Sequence, residues 1–428
     1  MYLKNGYTDI VFDVSDVLLS WPSDLSFPSS LVKSYEDASL PKRDGGLIET
    51  AWCEVRDHLR PCVELVALIR ELKTSNTKIR VFGTLNVSAP DYDFFTKAIW
   101  IAPFLMAYSP PTNCTLVCRI PRSSDMSSRT PRATSFGMHG IILTDLPKVC
   151  RELRNLVGDP VKRGWDYLRQ NAGHHLSEID NGMKLMENFG QLMLLEMTGD
   201  RKGVLTQNDY LPNDLDTTCL GLFVTKPPKE HVYSLMEEIL SNLNDDGLPW
   251  TYFDPNLPRL CPVVCTNVLH LFYTHGRGTE LPGALAWVHE VLLNRAYLDE
   301  GTRYYFAGSF LYFVGRLLRT SDDAHLHGLL EDLLRERVLE LVGSAADPLG
   351  LAMRILTCAS VGIRDEQDMR MLLPLQCDDG GWEIGWITKY GISGMKVGNR
   401  GYTTAMAIRA IEALDELRAQ DSTGAKGQ

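Results

Sequence analysis

The sequence predicts a chain in two parts: an α/β segment built on a parallel sheet over residues 1–146, and an all-α domain over residues 147–428. In the first third, short apolar strands alternate with a helical pattern, the order that produces parallel sheets. Beyond about residue 147, apolar residues recur at helical spacing and no strong strand alternation is visible. With 428 residues and 44% hydrophobic content, the chain can bury a sizeable core.

The elements follow in order. Ile10-Val11-Phe12 is a short strand that ends at Asp13. Pro61 to Leu72 reads as a helix, Ile79-Arg80-Val81-Phe82 as a second strand and Thr115-Leu116-Val117-Cys118 as a third. The Ser/Arg/Pro-rich stretch from Arg119 to Ser135 reads as a loop. In the second part, Val232, Leu235, Met236, Ile239 and Leu243 make one apolar helical face. Phe310, Phe313, Val314, Leu317 and Leu318 make another. Gly, Pro and Asp clusters punctuate the helices, and the polar end from Ala419 to Gln428 reads as frayed.

Composition excludes some partners. The net charge of −11 and pI of about 5.4, with no Lys/Arg stripe, argue against nucleic acid. A polyanionic substrate would need a local basic cluster working against the overall field. The ten cysteines lack paired spacing, and Cys261 and Cys265 are four apart, which is not a zinc-knuckle spacing. They read as reduced, mostly buried thiols. Met1 to Asp9 shows no secretory pattern, and no apolar run reaches spanning length. The expectation is a soluble, cytoplasmic protein without stable membrane insertion.

The most informative stretch is Asn213-Asp214-Leu215-Asp216-Thr217-Thr218. It holds two carboxylates two residues apart, between Leu211-Pro212 and the apolar run Cys219 to Val224. Two acids held close do not both ionise cheaply, so one tends to keep its proton near neutral pH. A protonated carboxylic acid in a dry cavity can protonate an alkene. Asp-x-Asp pairs also serve as helix caps, turns and loose cation sites. The chain beyond this point is rich in aromatics: Trp250, Tyr252, Phe253, Phe272, Tyr273, Trp287, Tyr304, Tyr305, Phe306, Phe310, Tyr312, Phe313, Trp382 and Trp386. Aromatic faces stabilise cations without quenching them, although helical cores use such residues for packing as well.

Gln376-Cys377-Asp378-Asp379-Gly380-Gly381-Trp382 matches Gln-x-x-x-Gly-x-Trp, the QW repeat of triterpene and class II terpene cyclases. Asn244 to Trp250 is an imperfect second copy. With the Asp-x-Asp-Thr-Thr stretch in a helical domain, the chain resembles the drimane-type class II sesquiterpene cyclases, the drimenyl or albicanyl diphosphate synthase-like proteins. In those proteins a haloacid-dehalogenase-like (HAD-like, Rossmannoid) domain precedes a terpene cyclase β-domain. The resemblance covers nearly the whole chain and implies an α/α barrel for the second part.

The resemblance also implies roles. Asp216 would be the Brønsted acid, and Asp214 would hold it by hydrogen bond, with Thr217 or Thr218. The substrate would be farnesyl diphosphate, protonated at its terminal alkene and closed into a bicyclic drimane-type diphosphate without ionisation of the diphosphate. Counter-charge for the diphosphate is sought between Tyr390 and Thr404, where Lys396, Asn399 and Arg400 lie among Gly391, Ser393, Gly394, Gly398 and Gly401. Glycines let backbone approach phosphate oxygens and Lys/Arg neutralise them. Lys389 and Arg303 are further candidates. Trp250, Tyr252, Phe253, Tyr305, Phe310, Trp382 and Trp386 are the candidate cavity wall. Members of the family commonly use Mg2+ bound with the diphosphate; Glu187 and Glu196 are weak candidates for its carboxylate.

In the first part, Ile10 to Leu18 resembles the first HAD motif, with Asp13 at the nucleophile position. The second acid of that motif is replaced by Ser15, and Asp16 lies one residue late. One slip on an extended strand turns the side chain to the other side. Leu85 occupies the hydroxyl position of the second motif, with Thr84 offset, and Arg119 to Arg132 holds Asp125 but no Asp-Asp pair. The resemblance therefore implies a degenerate domain, a product that keeps its diphosphate, and a separate downstream phosphatase. The competing readings are a HAD phosphatase with a helical accessory domain, a bifunctional cyclase-phosphatase releasing drimenol or albicanol, and a non-catalytic α/α scaffold for a partner protein.

Overall fold

The computed structural model describes residues 9–13, 19–20, 60–75, 80–84, 105–106, 114–118, 139–142, 145–203, 214–254, 256–299, 302–390 and 394–424. It divides into two compact units, one ending at Gly158 and one running from Asp159.

The first unit carries strands β1 (Asp9–Asp13), β2 (Leu19–Ser20), β3 (Arg60–Pro61), β4 (Arg80–Thr84), β5 (Leu105–Met106), β6 (Cys114–Cys118) and β7 (His139–Ile142). Its helices are α1 (Val63–Ser75) and α2 (Leu146–Val157). The five-stranded sheet has the order β5-β4-β1-β6-β7, and every pairing is parallel. Ile10, Phe12 and Val81 on one face and Phe82 on the other are buried, as strands covered on both faces require. The three strands expected from sequence are β1, β4 and β6. Ser15, Asp16, Leu85 and the segment from Arg119 to Arg132 lie outside the described residues.

The division between the units falls after Gly158, within the 145–160 interval expected from sequence and beyond its working bound at 146/147. Helix α2 belongs to the first unit because Leu153 and Val157 are buried and Arg154 grips Glu71 of α1 at 3.0 Å.

The second unit contains α3 (Pro160–Gln170), α4 (Asn188–Thr198), α5 (Leu215–Thr225), α6 (Lys229–Ser241), α7 (Pro262–Thr274) and α8 (Pro282–Leu293). It continues with α9 (Ser309–Arg319), α10 (Ala324–Leu341), α11 (Pro348–Ser360), α12 (Glu366–Leu372) and α13 (Arg400–Gly424). Six of these close an inner ring: α4 packs on α5, α5 on α7, α7 on α9, α9 on α11, α11 on α13, and α13 back on α4. Around it, α3 leans on α13, α8 on α7, α10 on α9 and α11, and α12 on α11. The arrangement is an α/α barrel.

Sequence sorts the two rings. Val263 to Phe272 of α7, Ser309 to Leu318 of α9 and Pro348 to Cys358 of α11 are all buried. A helix apolar all round belongs inside. The single face expected for Phe310 to Leu318 is thus two-sided burial. Outer α10 instead buries only a stripe, Leu326, Leu330, Leu334, Arg337 and Val338. Helix α13 continues to Gly424, where a frayed end was expected from Ala419.

The QW match ties the barrel shut. Gln376 donates through Nε2 to Pro160 O at the start of α3 and to Gly380 O, both at 2.8 Å, and its Oε1 accepts from Arg163 at 3.1 Å. Trp382 is fully buried, with its indole N–H on Leu372 O at 3.0 Å. Gly380 has φ +91°, and a Cβ there would run into Arg163 O, so only glycine fits. Trp382 is therefore a packing residue between helices and not part of a cavity wall.

Four short strands, β8 (Ser177–Ile179), β9 (Lys184–Leu185), β10 (Trp386–Tyr390) and β11 (Met395–Gly398), make an antiparallel sheet in the order β10-β11-β8-β9. The sequence reading missed them. Strands this short carry almost no alternation and exist through pairing of segments some two hundred residues apart. The sheet stands at the end of the barrel where the inner helices begin. Asn399, the residue before α13, donates to Ser177 Oγ at 3.1 Å, and Ser177 Oγ donates to Glu187, the cap of α4, at 2.5 Å. Trp386 N donates to Asp347, the cap of α11, at 2.8 Å. Among the described residues no helix is long and apolar enough to cross a membrane.

Candidate active site

Asp214 and Asp216 sit at the first turn of α5, on that same end. Asp214 is the N-cap: its Oδ1 accepts from Thr217 N at 2.7 Å and its Oδ2 from Thr217 Oγ1 at 3.2 Å. Thr218 contributes its backbone N–H to Asp214 O at 3.1 Å. The structural reading of the motif as a cap thus holds for its first acid. Burial pushes the Asp214 carboxyl up, against the Thr217 hydrogen bonds and the charge of Arg303.

Asp216 is held differently. Asn267 of α7 donates from Nδ2 to its Oδ1 at 2.5 Å, and the Tyr304 hydroxyl donates to its Oδ2 at 2.6 Å. Protein encloses the carboxyl, and the residue as a whole is half-buried. Burial first, then the neighbouring Asp214 charge, push it up to about 7. The two hydrogen bonds and Arg316 pull the other way and lose. The expected hydrogen bond from Asp214 to Asp216 is replaced: Asp214 spends its oxygens on the helix N-terminus and acts on Asp216 through charge.

Behind Asn267 lies a buried polar chain. Arg316 of α9, 2% exposed, donates from Nη1 to Asn267 Oδ1 at 3.2 Å and to His270 Nδ1 at 2.8 Å. Its Nε donates to Glu196 of α4 at 2.7 Å. Burial and the Arg316 charge drive His270 well below its ordinary value, so it is neutral. None of Asn267, His270 or Arg316 was singled out from sequence. Their one trace is a polar residue inside an otherwise apolar helix, Val-Val-Cys-Thr-Asn-Val-Leu-His and Tyr-Phe-Val-Gly-Arg-Leu-Leu. Tyr304 stood out in the sequence only as one of the many aromatics that follow the acids.

Beside the acids, Arg303, Lys389 and Lys396 are brought to one end. Tyr304 bridges to Thr388, and Lys389 N donates to Arg303 O at 2.7 Å. In the β10–β11 pair, Lys389 and Lys396 stand directly opposite. Lys396 Nζ lies 4.7 Å from the Tyr305 ring centre, 3.2 Å from its hydroxyl and 5.9 Å from the Trp386 ring. Arg303 lies 5.4 Å from the Tyr252 ring, and Tyr252 pairs with Asp214 across an isolated bridge. Trp250 and Phe253 are half-buried in the same loop as Tyr252.

The family model for the sesquiterpene cyclase astC-like C-terminal domain matches residues 161–275. The chain is 33% identical to drimenol cyclase drtB of Aspergillus calidoustus over 461 aligned positions, covering 94% of this chain and 87% of that one. The chain belongs to the drimane-type sesquiterpene cyclases. Among solved structures, the cyclase is similar to type II terpene cyclase MstE from Scytonema in complex with geranylgeranyl dihydroxybenzoate, 12% identical with a TM-score of 0.41 over 63% of this chain and 99% of that one. A possible GH105-family member from Salmonella enterica is 13% identical with a TM-score of 0.40 over 61% of this chain and 94% of that one.

Other candidates in the cyclase sit elsewhere. Arg400 is committed to Asp379 through two bonds of 2.7 Å and stacks on Tyr167 at 4.7 Å, so it belongs to the QW loop. Asn399 is fully buried and caps α13 by accepting from Tyr402 N at 2.9 Å. Gly398 and Gly401 serve close packing, against Gly385 O and the His175 ring, and not a phosphate; Gly391 and Ser393 lie outside the described residues. Phe310 stacks on Tyr297 at 5.5 Å and lines an apolar cavity of about 220 Å³ with Val263 and Trp287. Glu187 and Glu196 do not fit a magnesium ion. Glu187 accepts from Ser177 and Gly190 as a helix cap, and Glu196 neutralises Arg316. Asp13 ends β1, and its side chain lies outside the described residues.

Proposed function

We propose that this cyclase protonates the terminal alkene of farnesyl diphosphate with the Asp216 carboxyl. The alkene pair takes the proton, two ring closures follow, and the bicyclic cation loses a proton to give a drimane-type diphosphate. The carbon–oxygen bond to the diphosphate stays intact. The observation that carries this reading is an enclosed carboxyl, pushed up to about 7, whose two oxygens are each fixed by one donor. It is half-protonated near neutral pH, where an ordinary Asp would be almost fully ionised. Phe313 and Phe189 pack edge-on against the Tyr304 ring beside it, with ring centres 5.4 and 5.9 Å from that of Tyr304. Such faces support a cation without attacking it.

Arg303, Lys389 and Lys396 take the diphosphate. Two lysines directly opposite on a hairpin repel each other, and an anion between them removes that penalty. The inner helices begin at this end, so their partial positive charges add to the attraction.

In the first unit, β1 is central and the strand order reverses beside it, with Asp13 at its carboxyl end. This is the place where α/β sheets bind ligands, and it supports a HAD-like domain. Thr84 pairs with Asp13 across β1 and β4. Ser15 stands where an acid is required, which favours an impaired phosphatase and retention of the diphosphate. The second reading has an observation of its own: the curated relative bears the name of an alcohol, drimenol. Extraction of a farnesyl diphosphate incubation before and after external phosphatase separates the two. The bicyclic alcohol is expected only after treatment, and never with Asp216→Ala. Alcohol without added phosphatase establishes the bifunctional reading, and product from Asp216→Ala removes the acid from position 216.

A further inference from the structure

Asp216 has two oxygens, and an acid works only if its proton sits on the one facing the substrate. The network behind it chooses. Arg316 has donors only, so the oxygen of the Asn267 amide must face Arg316 and its NH2 must face Asp216. An NH2 group cannot accept a proton. Asp216 Oδ1 is thereby confined to accepting, and the carboxyl proton is left to Oδ2, the oxygen shared with the Tyr304 hydroxyl. A hydroxyl both donates and accepts, so it tolerates the protonated and the ionised acid in turn.

Arg316 is itself pinned on three sides. Glu196 holds Nε, His270 takes Nη1 as well, and the guanidinium lies 4.8 Å from the Phe223 ring, which packs on His270 at 4.5 Å. We propose that Arg316 is a positioning residue for the cyclisation: through Asn267 it orients the Asp216 carboxyl and assigns its proton to Oδ2. The inference rests on the reading of Asp216 as the acid.

A second observation separates this from a salt bridge kept for stability. Among the described residues, Glu196 Oε2, His270 Nε2, Arg316 Nη2 and the Tyr402 hydroxyl are buried with no protein hydrogen-bond partner. A buried ion pair stabilises only when its remaining polar atoms are satisfied. Here Glu196 and Arg316 each leave one polar atom without a protein partner, as residues held for function commonly do.

The groups that face Asp216 are Asp214 and Cys219 at the cap and in the body of its own helix, Cys261 at the cap of α7 and Asn267 within it, Tyr304 ahead of α9, and Arg316 from α9. Arg316 carries the positive charge that favours the ionised form. Replacing it with Gln should move the alkaline limb of the turnover profile upward by about one pH unit and lower kcat roughly 100-fold while KM changes little. Arg316→Lys keeps the charge and should leave the limb in place while recovering part of the rate.

Where Arg316→Gln fails to fold, Glu196→Gln with Arg316→Gln replaces the pair by two neutral amides. Asn267→Leu supplies an independent arm: its loss of rate and that of Arg316→Gln should not add in the double variant. Additive losses, or an unmoved limb with Arg316→Gln at wild-type kcat, overturn the positioning role. The parent reading is tested apart from it, since product from Asp216→Asn would sink the acid itself whatever Arg316 does.

Discussion

At position 216 five influences meet on one carboxyl. Burial and the Asp214 charge raise its proton affinity, whereas Asn267, Tyr304 and Arg316 lower it, and burial wins. The free energy that keeps the proton is drawn from the stability of the fold. The unfolded value is 3.8 and the folded value about 7, so the penalty is absent below the unfolded value and complete above the folded one. Asp216→Asn is therefore expected to stabilise the second unit by up to about 4 kcal/mol at about pH 8, with little change at about pH 4. Thermal unfolding at both pH values reads this directly, and equal shifts at the two would contradict it. The two acids were legible because their spacing is local and their apolar flanks are visible. Asn267, 51 residues on, was not: nothing in one sequence says that two distant helices will stand side by side in a ring.

At the scale of elements, the sequence placed α1, β1, β4 and β6 and the apolar faces of α6 and α9, because each rests on its own periodicity. It missed the β8–β11 sheet, whose strands depend on pairing alone, and so read one glycine-rich loop where strand β11 and the start of α13 stand. That misreading has a measurable consequence. Arg400 is tied to Asp379 and the Trp382 carbonyl, whereas Lys396 faces Lys389 on the hairpin. Lys396→Ala is expected to raise KM for farnesyl diphosphate roughly tenfold, since one phosphate contact is worth about 1.4 kcal/mol or more, with melting temperature unchanged. Arg400→Ala should do the reverse, lowering the melting temperature by loosening the QW loop and leaving KM near wild type. Steady-state kinetics and thermal melts on the two variants decide it; a KM effect confined to Arg400→Ala would return the diphosphate to the start of α13.

Over the whole molecule, an acidic chain gathers the charges proposed for the reaction at one end of a closed ring. Helix starts, three basic side chains and the two acids share that end, while the QW loop fastens the ring through Gln376 and Trp382. Family and barrel were legible because the Asp-x-Asp-Thr-Thr stretch and the QW repeat are contiguous. The boundary was legible only to within about 145–160, because α2 looks like one more helix of the second part until its contact with α1 is seen. The central claim is that the protonated form of Asp216 does the chemistry. Single-turnover cyclisation of farnesyl diphosphate, followed from about pH 5 to 9, tests it most directly. The rate should be level on the acid side and fall about tenfold per pH unit above 7, and a rate that climbs through that range would contradict it.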